Sequence, residues 1–120
     1  YRANFDIGVP ISQMASFVHT VELELAASFK GLQLCTFGHM ADGNLHIIAW
    51  TGREDDVDLI YERVYTLVGT VGGTITAEHG IGTMKRQYLS LCRSEQEINL
   101  MRALKKAMDP NSILNPGRVI

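Results

Sequence analysis

The sequence is poor in the features that mark specialised protein classes. No apolar run approaches the roughly 20 residues of a membrane-spanning helix. The opening YRANFD has neither the basic nor the apolar region of an export signal. Charge of one sign is missing as well: 11 Lys and Arg stand against 13 Asp and Glu, a net charge of −2. That balance points to neither nucleic acid nor a membrane surface as partner. Only 2 cysteines occur, Cys35 and Cys92, far apart and outside any CxxC pair. They read as buried or incidental thiols of a reducing compartment rather than a staple or redox pair. There is no GxGxxG or GxxxxGK loop, so nothing here binds a nucleotide by itself. Internal repeats, low-complexity tracts and linkers are also lacking.

What is present is an ordinary globular composition, 46% apolar and 20% charged over 120 residues. That length builds one domain with a single core and leaves no room for a separate cofactor domain. The chain opens on Tyr1 rather than Met, so a fragment of a longer protein is expected.

Hydrophobic period divides the chain. FDIGVPI, Phe5 to Ile11, alternates as a strand and meets Pro10 near its end. Met14, Phe17, Val18, Val21, Leu25 and Phe29 then fall at helical spacing, with Ser12 as N-cap and Gly31 as C-cap. Leu32 to Met40 and Leu45 to Trp50 are β-rich runs joined by ADGN, whose Asp-Gly suits a tight hairpin. Residues 55–70 return to helical period, Thr74 to Ala77 is a short strand, and Gln96 to Met108 is a last helix stopped by Asp109-Pro110. The order β-α-β-β-α-β predicts an α+β, ferredoxin-like antiparallel sheet with helices on one face and a C-terminal helical tail. Many activities use such sheets, so the fold does not choose a function.

Chemistry concentrates in three stretches. In GHMADGNLH, a turn centred on Asp42-Gly43 sets His39 opposite His46, where cross-strand Cβ atoms lie about 4.5–5.5 Å apart. Imidazoles so placed can share one metal ion. Two solvent-facing strand histidines are the plainer reading, because a third donor is required. GGTITAEHGIG offers one: Glu78, at the end of the fourth strand, completes a His2Glu set with positions left for water or substrate. A Gly-rich turn with a capping glutamate competes with this reading. His79 alternates away from Glu78 and suits general-base work, since an imidazole's ordinary pKa is near 6.5. The tail DPNSILNPGRVI reads as successive turns that pack Ile113 and Leu114 into the core. On these residues a metal-dependent hydrolase and a metal- or ligand-binding module without a redox role both stay open.

Together the stretches resemble a known family. GHMADGNLH is similar to Gly-His-x-Gly-Asp-Gly-Asn-Leu-His, and GGTITAEHGIG to Gly-Gly-Ser/Thr-Ile-Ser-Ala/Gly-Glu-His-Gly-Ile-Gly. DPNSILNPGRVI resembles Asp-Pro-x-x-Ile-Leu-Asn-Pro-Gly-Lys-Val, and FDIGVP resembles Tyr-Asp-Val-Ser-Val-Pro. These are motifs of the C-terminal domain of FAD-linked oxidases of the vanillyl-alcohol oxidase superfamily, which contains D-lactate dehydrogenases, D-2-hydroxyglutarate dehydrogenases and the glycolate oxidase flavoprotein subunit. The resemblance covers essentially residues 1–120.

The resemblance implies an FAD-dependent oxidoreductase that turns a D-2-hydroxy acid into a 2-oxo acid. FAD would be held mainly by an N-terminal domain outside this chain, leaving the fragment inactive alone. By the same likeness His39, His46 and Glu78 ligate a divalent metal, zinc or manganese, His79 is the catalytic base, and Asn115 lies near the flavin. Implied partners are the small hydroxy acid, the FAD-binding domain and an electron acceptor; a homodimer is compatible with the family. A cytoplasmic place is expected, with the membrane periphery or the mitochondrial matrix as variants. Two departures bear on substrate. Hydroxyglutarate-type members carry lysine at position 4 and asparagine at position 48, where this chain has Asn4 and Ile48. A distal carboxylate loses both partners, so an apolar or shorter tail is expected. Ala41 replaces the usual glycine and asks only that this position avoid positive φ.

Overall fold

A computed structural model describes all 120 residues. Its elements are β1 (Ala3–Gly8), α1 (Met14–Ser28), β2 (Gln33–Phe37), β3 (Asn44–Trp50), α2 (Asp56–Thr70) and α3 (Glu95–Met108), with 3₁₀ turns at Ile11–Gln13, Met40–Asp42 and Arg86–Leu91. The strands form an antiparallel sheet in the order β1-β3-β2.

Strand alternation sorts side chains to opposite faces. Ala3, Phe5 and Ile7 of β1 and Leu45, Ile47 and Ala49 of β3 point inward and are buried. Met14, Phe17, Val21 and Leu25 of α1 and Ile60, Val64, Tyr65 and Val68 of α2 recur at helical spacing and join the same core. Burying each large side chain contributes about 1.5–3 kcal/mol. The other face carries Asn4 and Asp6 of β1, Asn44, His46, Ile48 and Trp50 of β3, and Cys35 and Phe37 of β2. No helix covers that face, and it is where the candidate site lies.

The predicted α+β architecture, with its helices on one face of an antiparallel sheet, is present; the fourth strand is not. TITA makes a single bridge, in which Gly8 and Thr74 exchange backbone hydrogen bonds of 2.9 and 2.8 Å. Beyond it the chain leaves the ladder, because Thr76, Ala77, Glu78 and His79 all donate to the Asp6 side chain instead. Side chains complete the rest of the β1 edge. Tyr61 Oη accepts from Asn4 N at 3.1 Å, and Lys85 Nζ donates to Asp6 O at 3.2 Å.

The hairpin also differs from the predicted turn. Its register pairs Phe37, not His39, with His46. Gly38 takes φ +144°, and the loop then winds onto itself: Asp42 N and Asn44 N both donate to His39 O, and Gly43 N to Met40 O. Those amides are lost to the ladder, and His39 leaves the strand.

Smaller corrections have similar local causes. The turn at Ile11–Gln13 makes Gln13 rather than Ser12 the N-cap of α1, and Phe29, in extended conformation, closes the helix before Gly31. α3 starts on a capping box between Ser94 and Glu97. Ile98 is buried and Met101 is packed against the core, while Leu100, Leu104 and Met108 of the predicted stripe are exposed. In the tail, Ile113 and Leu114 are exposed as well; their backbone N–H groups donate to the buried Asp109 carboxylate, which also pairs with Lys105. At Ile113 and Leu114 the tail is held by its backbone, while at its end Ile120 packs against the core. Both cysteines are free, and Cys35 is exposed rather than buried.

Candidate functional site

Asp6 is the centre on which the site is built. It sits on the outward face of β1 yet is only 1% exposed, because the segment Thr76–His79 folds over it. Its Oδ2 accepts from Ala77 N at 3.1 Å, Glu78 N at 3.0 Å, His79 N at 2.8 Å and Thr76 Oγ1 at 3.2 Å. Lys85 Nζ stands 3.6 Å from the same oxygen. Burial pushes the Asp6 carboxyl up, but the amides of His79, Glu78 and Ala77 and the Lys85 charge outweigh it and hold the group at about 2. Lys85 is pushed down by its own burial, against the pull of Asp6.

Of the sequence-predicted residues, His46 and His79 stand beside this anchor. His46, opposite Asp6 in the ladder, has Nδ1 3.9 Å from Asp6 Oδ1; His79 has Nδ1 3.8 Å from Asp6 Oδ2. The two rings stack with centroids 5.9 Å apart and 29° between planes. His39, though off the ladder, still comes within 3.6 Å of Glu78 Oε1 through Nδ1. The expected cross-strand contact of His39 with His46 is absent, and Phe37 occupies that place with its ring 5.2 Å from His46. Asp6, Glu78 and His79 each bring one ligand atom within 4.8 Å of the others.

Asn4 and Ile48 are direct partners in the β1–β3 ladder. Asn115 is exposed in the tail turn, at φ +47°. The tail is tied to the loop after His79 by Val119 N donating to Gly82 O at 2.9 Å and by Arg86 donating to Gly117 O at 3.3 Å.

Sequence reasoning missed Asp6, Asn44 and Lys85. The Asn44 side-chain amide donates to Glu78 Oε1 and so orients that carboxylate. A carboxylate between the inward-facing Phe5 and Ile7 of a strand was the available signal for Asp6. Also missed was a cleft of about 600 Å³ beside His79, walled by Asn4, Tyr61, Tyr65, Tyr88 and Lys85. Burial, with the neighbouring Tyr61 and Tyr88, pushes the Tyr65 hydroxyl well up, and that hydroxyl lacks a hydrogen-bond partner.

The donors that come within common reach of one ion are those of Asp6, Glu78 and His79, whereas the predicted set of His39, His46 and Glu78 is not gathered into one such group. Imidazoles and a carboxylate approach one another on one open face, and a buried amide holds Glu78 from behind.

These features define a small α+β domain carrying an imidazole–carboxylate site on the helix-free face of its sheet. The chain belongs to the family of FAD linked oxidases, C-terminal domain, which matches residues 2–119. It is similar to the glycolate oxidase subunit GlcD of Bacillus subtilis (39% identity; 95% of this chain and 25% of that protein). It also resembles the D-2-hydroxyglutarate dehydrogenase of Stutzerimonas stutzeri (34%; 95% and 26%) and the D-lactate dehydrogenase of Anaerostipes hadrus (36%; 95% and 25%). The chain therefore spans about a quarter of the length of these curated relatives. No helix is long and apolar enough to cross a membrane.

Proposed function

We propose that this chain is the substrate- and metal-binding part of an FAD-dependent enzyme that oxidises a D-2-hydroxy acid to a 2-oxo acid. The supporting observation is the approach of His39 to Glu78, and of His46 and His79 to Asp6, on the side of the sheet away from the helices.

In this reading His39, His46 and Glu78 hold the ion, and Asn44 keeps the Glu78 carboxylate turned toward His39. A bound zinc or manganese ion supplies Lewis-acid polarisation of the substrate oxygens. FAD, carried mainly by the rest of the protein, supplies the hydride acceptor. His79 takes the proton from the substrate hydroxyl, and the backbone bonds of Glu78 and His79 to Asp6 keep the base in place as that proton moves. Asn4 and Ile48 present no cation to the substrate tail, which favours an apolar or short tail over a second carboxylate. Asn115 approaches the flavin from the tail. An electron acceptor, and a second copy of the protein, are further partners of the assembled enzyme. Membership of an FAD-linked oxidase family favours hydride transfer over the hydrolytic and ligand-sensing readings.

The test is a screen of D-2-hydroxy acids against the full-length protein with an artificial electron acceptor, together with metal analysis. Turnover of at least one such acid is expected, with one bound divalent ion lost in the triple variant His39→Ala, His46→Ala, Glu78→Ala. Full metal content in that variant, or no turnover with any hydroxy acid, would overturn the reading.

A further inference from the structure

We infer that Asp6 is a positioning residue whose carboxylate selects the ring nitrogen that His46 and His79 present to the site. The inference rests on the proposed roles of those histidines.

The two oxygens of Asp6 are used differently. Oδ2 takes the amides of Ala77, Glu78 and His79 and the Thr76 hydroxyl, and it faces His79 Nδ1 at 3.8 Å. Oδ1 takes only the Glu78 amide, at 3.2 Å, and so keeps acceptor capacity on the side where His46 Nδ1 stands at 3.9 Å. Both gaps exceed a hydrogen bond. They are nevertheless short enough for a buried negative charge to favour a proton on the facing nitrogen. Both rings then carry hydrogen on Nδ1 and leave the Nε2 lone pair free. One carboxylate thereby gives His46 a free ligand atom and His79 a free basic atom.

A neutral imidazole has one donor and one acceptor nitrogen, so the wrong tautomer leaves the reacting position protonated and useless as ligand or base. Carboxylates commonly set this choice behind histidines that bind metals or move protons. Here the same group also holds the His79 backbone amide at 2.8 Å, fixing where the ring starts as well as which edge it shows. Lys85, 3.6 Å from Oδ2, balances part of the charge on the side of His79 and leaves Oδ1, which faces His46, without a cation of its own.

The test reads tautomers in the full-length protein, labelled with 15N-histidine and freed of metal with a chelator, at a pH where the rings are neutral. Hydrogen on Nδ1 is expected for both His46 and His79. Asp6→Asn places an amide donor before the rings, so His46 is expected to shift its hydrogen to Nε2 and kcat to fall about 100-fold or more. Hydrogen on Nε2 of either ring in the unaltered protein overturns the inference, even if Asp6→Asn does not fold. So does a folded Asp6→Asn protein with unchanged tautomers and kcat within threefold of the original. His79→Asn separates the two readings: full turnover in that variant removes His79 as the base, while the 15N spectra still decide the part assigned to Asp6.

Discussion

Asn4 and Ile48 face each other across the β1–β3 ladder, and the next pair on the same face is Asp6 with His46. The two positions proposed to face the substrate tail thus form one unit beside the candidate site. Directly opposed side chains couple. The double variant Asn4→Lys, Ile48→Asn should lower KM for a dicarboxylic 2-hydroxy acid about 10- to 100-fold, as expected of one charge-assisted hydrogen bond. Steady-state kinetics should show each single change giving less than half of that effect in free energy.

Asn44 holds Glu78 from a buried position on β3, with its own Oδ1 left unpaired. Asn44→Ala removes the group that orients the carboxylate while keeping the three proposed metal donors, His39, His46 and Glu78. Divalent-ion affinity should weaken about 10- to 100-fold by calorimetric titration. Unchanged affinity would show that Glu78 does not depend on this amide.

Asp6 makes stability depend on acid. Its carboxyl sits at about 2 in the fold against an ordinary 3.8, so the folded state holds the proton less tightly than the unfolded chain. The resulting stabilisation is complete above the ordinary value and disappears as pH falls through about 2. Its size is about 2 kcal/mol. Urea unfolding between pH 6 and pH 2 should therefore show the unaltered protein losing about 2 kcal/mol more than Asp6→Asn. Parallel losses would contradict this account.

Gly69 tests the packing of α2 on the turn at Arg86–Leu91. A Cβ there would lie 2.1 Å from the Leu91 carbonyl oxygen, a backbone atom that cannot swing aside. Alanine is the better helix former by about 1 kcal/mol, yet Gly69→Ala should destabilise by about 1–3 kcal/mol through overpacking. Thermal unfolding should fall by several degrees; a rise would show that the turn gives way.

The period of the sequence revealed the helices and core because burial of one face leaves a repeating apolar mark, as in α2 and in Phe5 and Ile7 of β1. It misled where side chains replace backbone partners. TITA has strand composition, but the Asp6 carboxylate collects the amides that a fourth strand would have given to the ladder. ADGN has hairpin composition, but Gly38 and the His39 carbonyl wind the loop and move the register from His39 to Phe37. The Ser94–Glu97 capping box, by contrast, is a purely local pattern. His39, His46, Glu78 and His79 stood out by residue type. Asp6 did not, since its importance comes from groups 70 or more positions away.

The segment carrying Glu78 and His79 is not a strand, and its amides rest on a side chain of β1. Its shape therefore persists only while β1 remains paired with β3. Detaching that edge would release the loop, the Glu78 and His79 side chains and the partner of Lys85 in one step. Hydrogen exchange should accordingly protect the amides of Ala77, Glu78 and His79 as part of the sheet, and a partly unfolded form that keeps a working site has no structural basis.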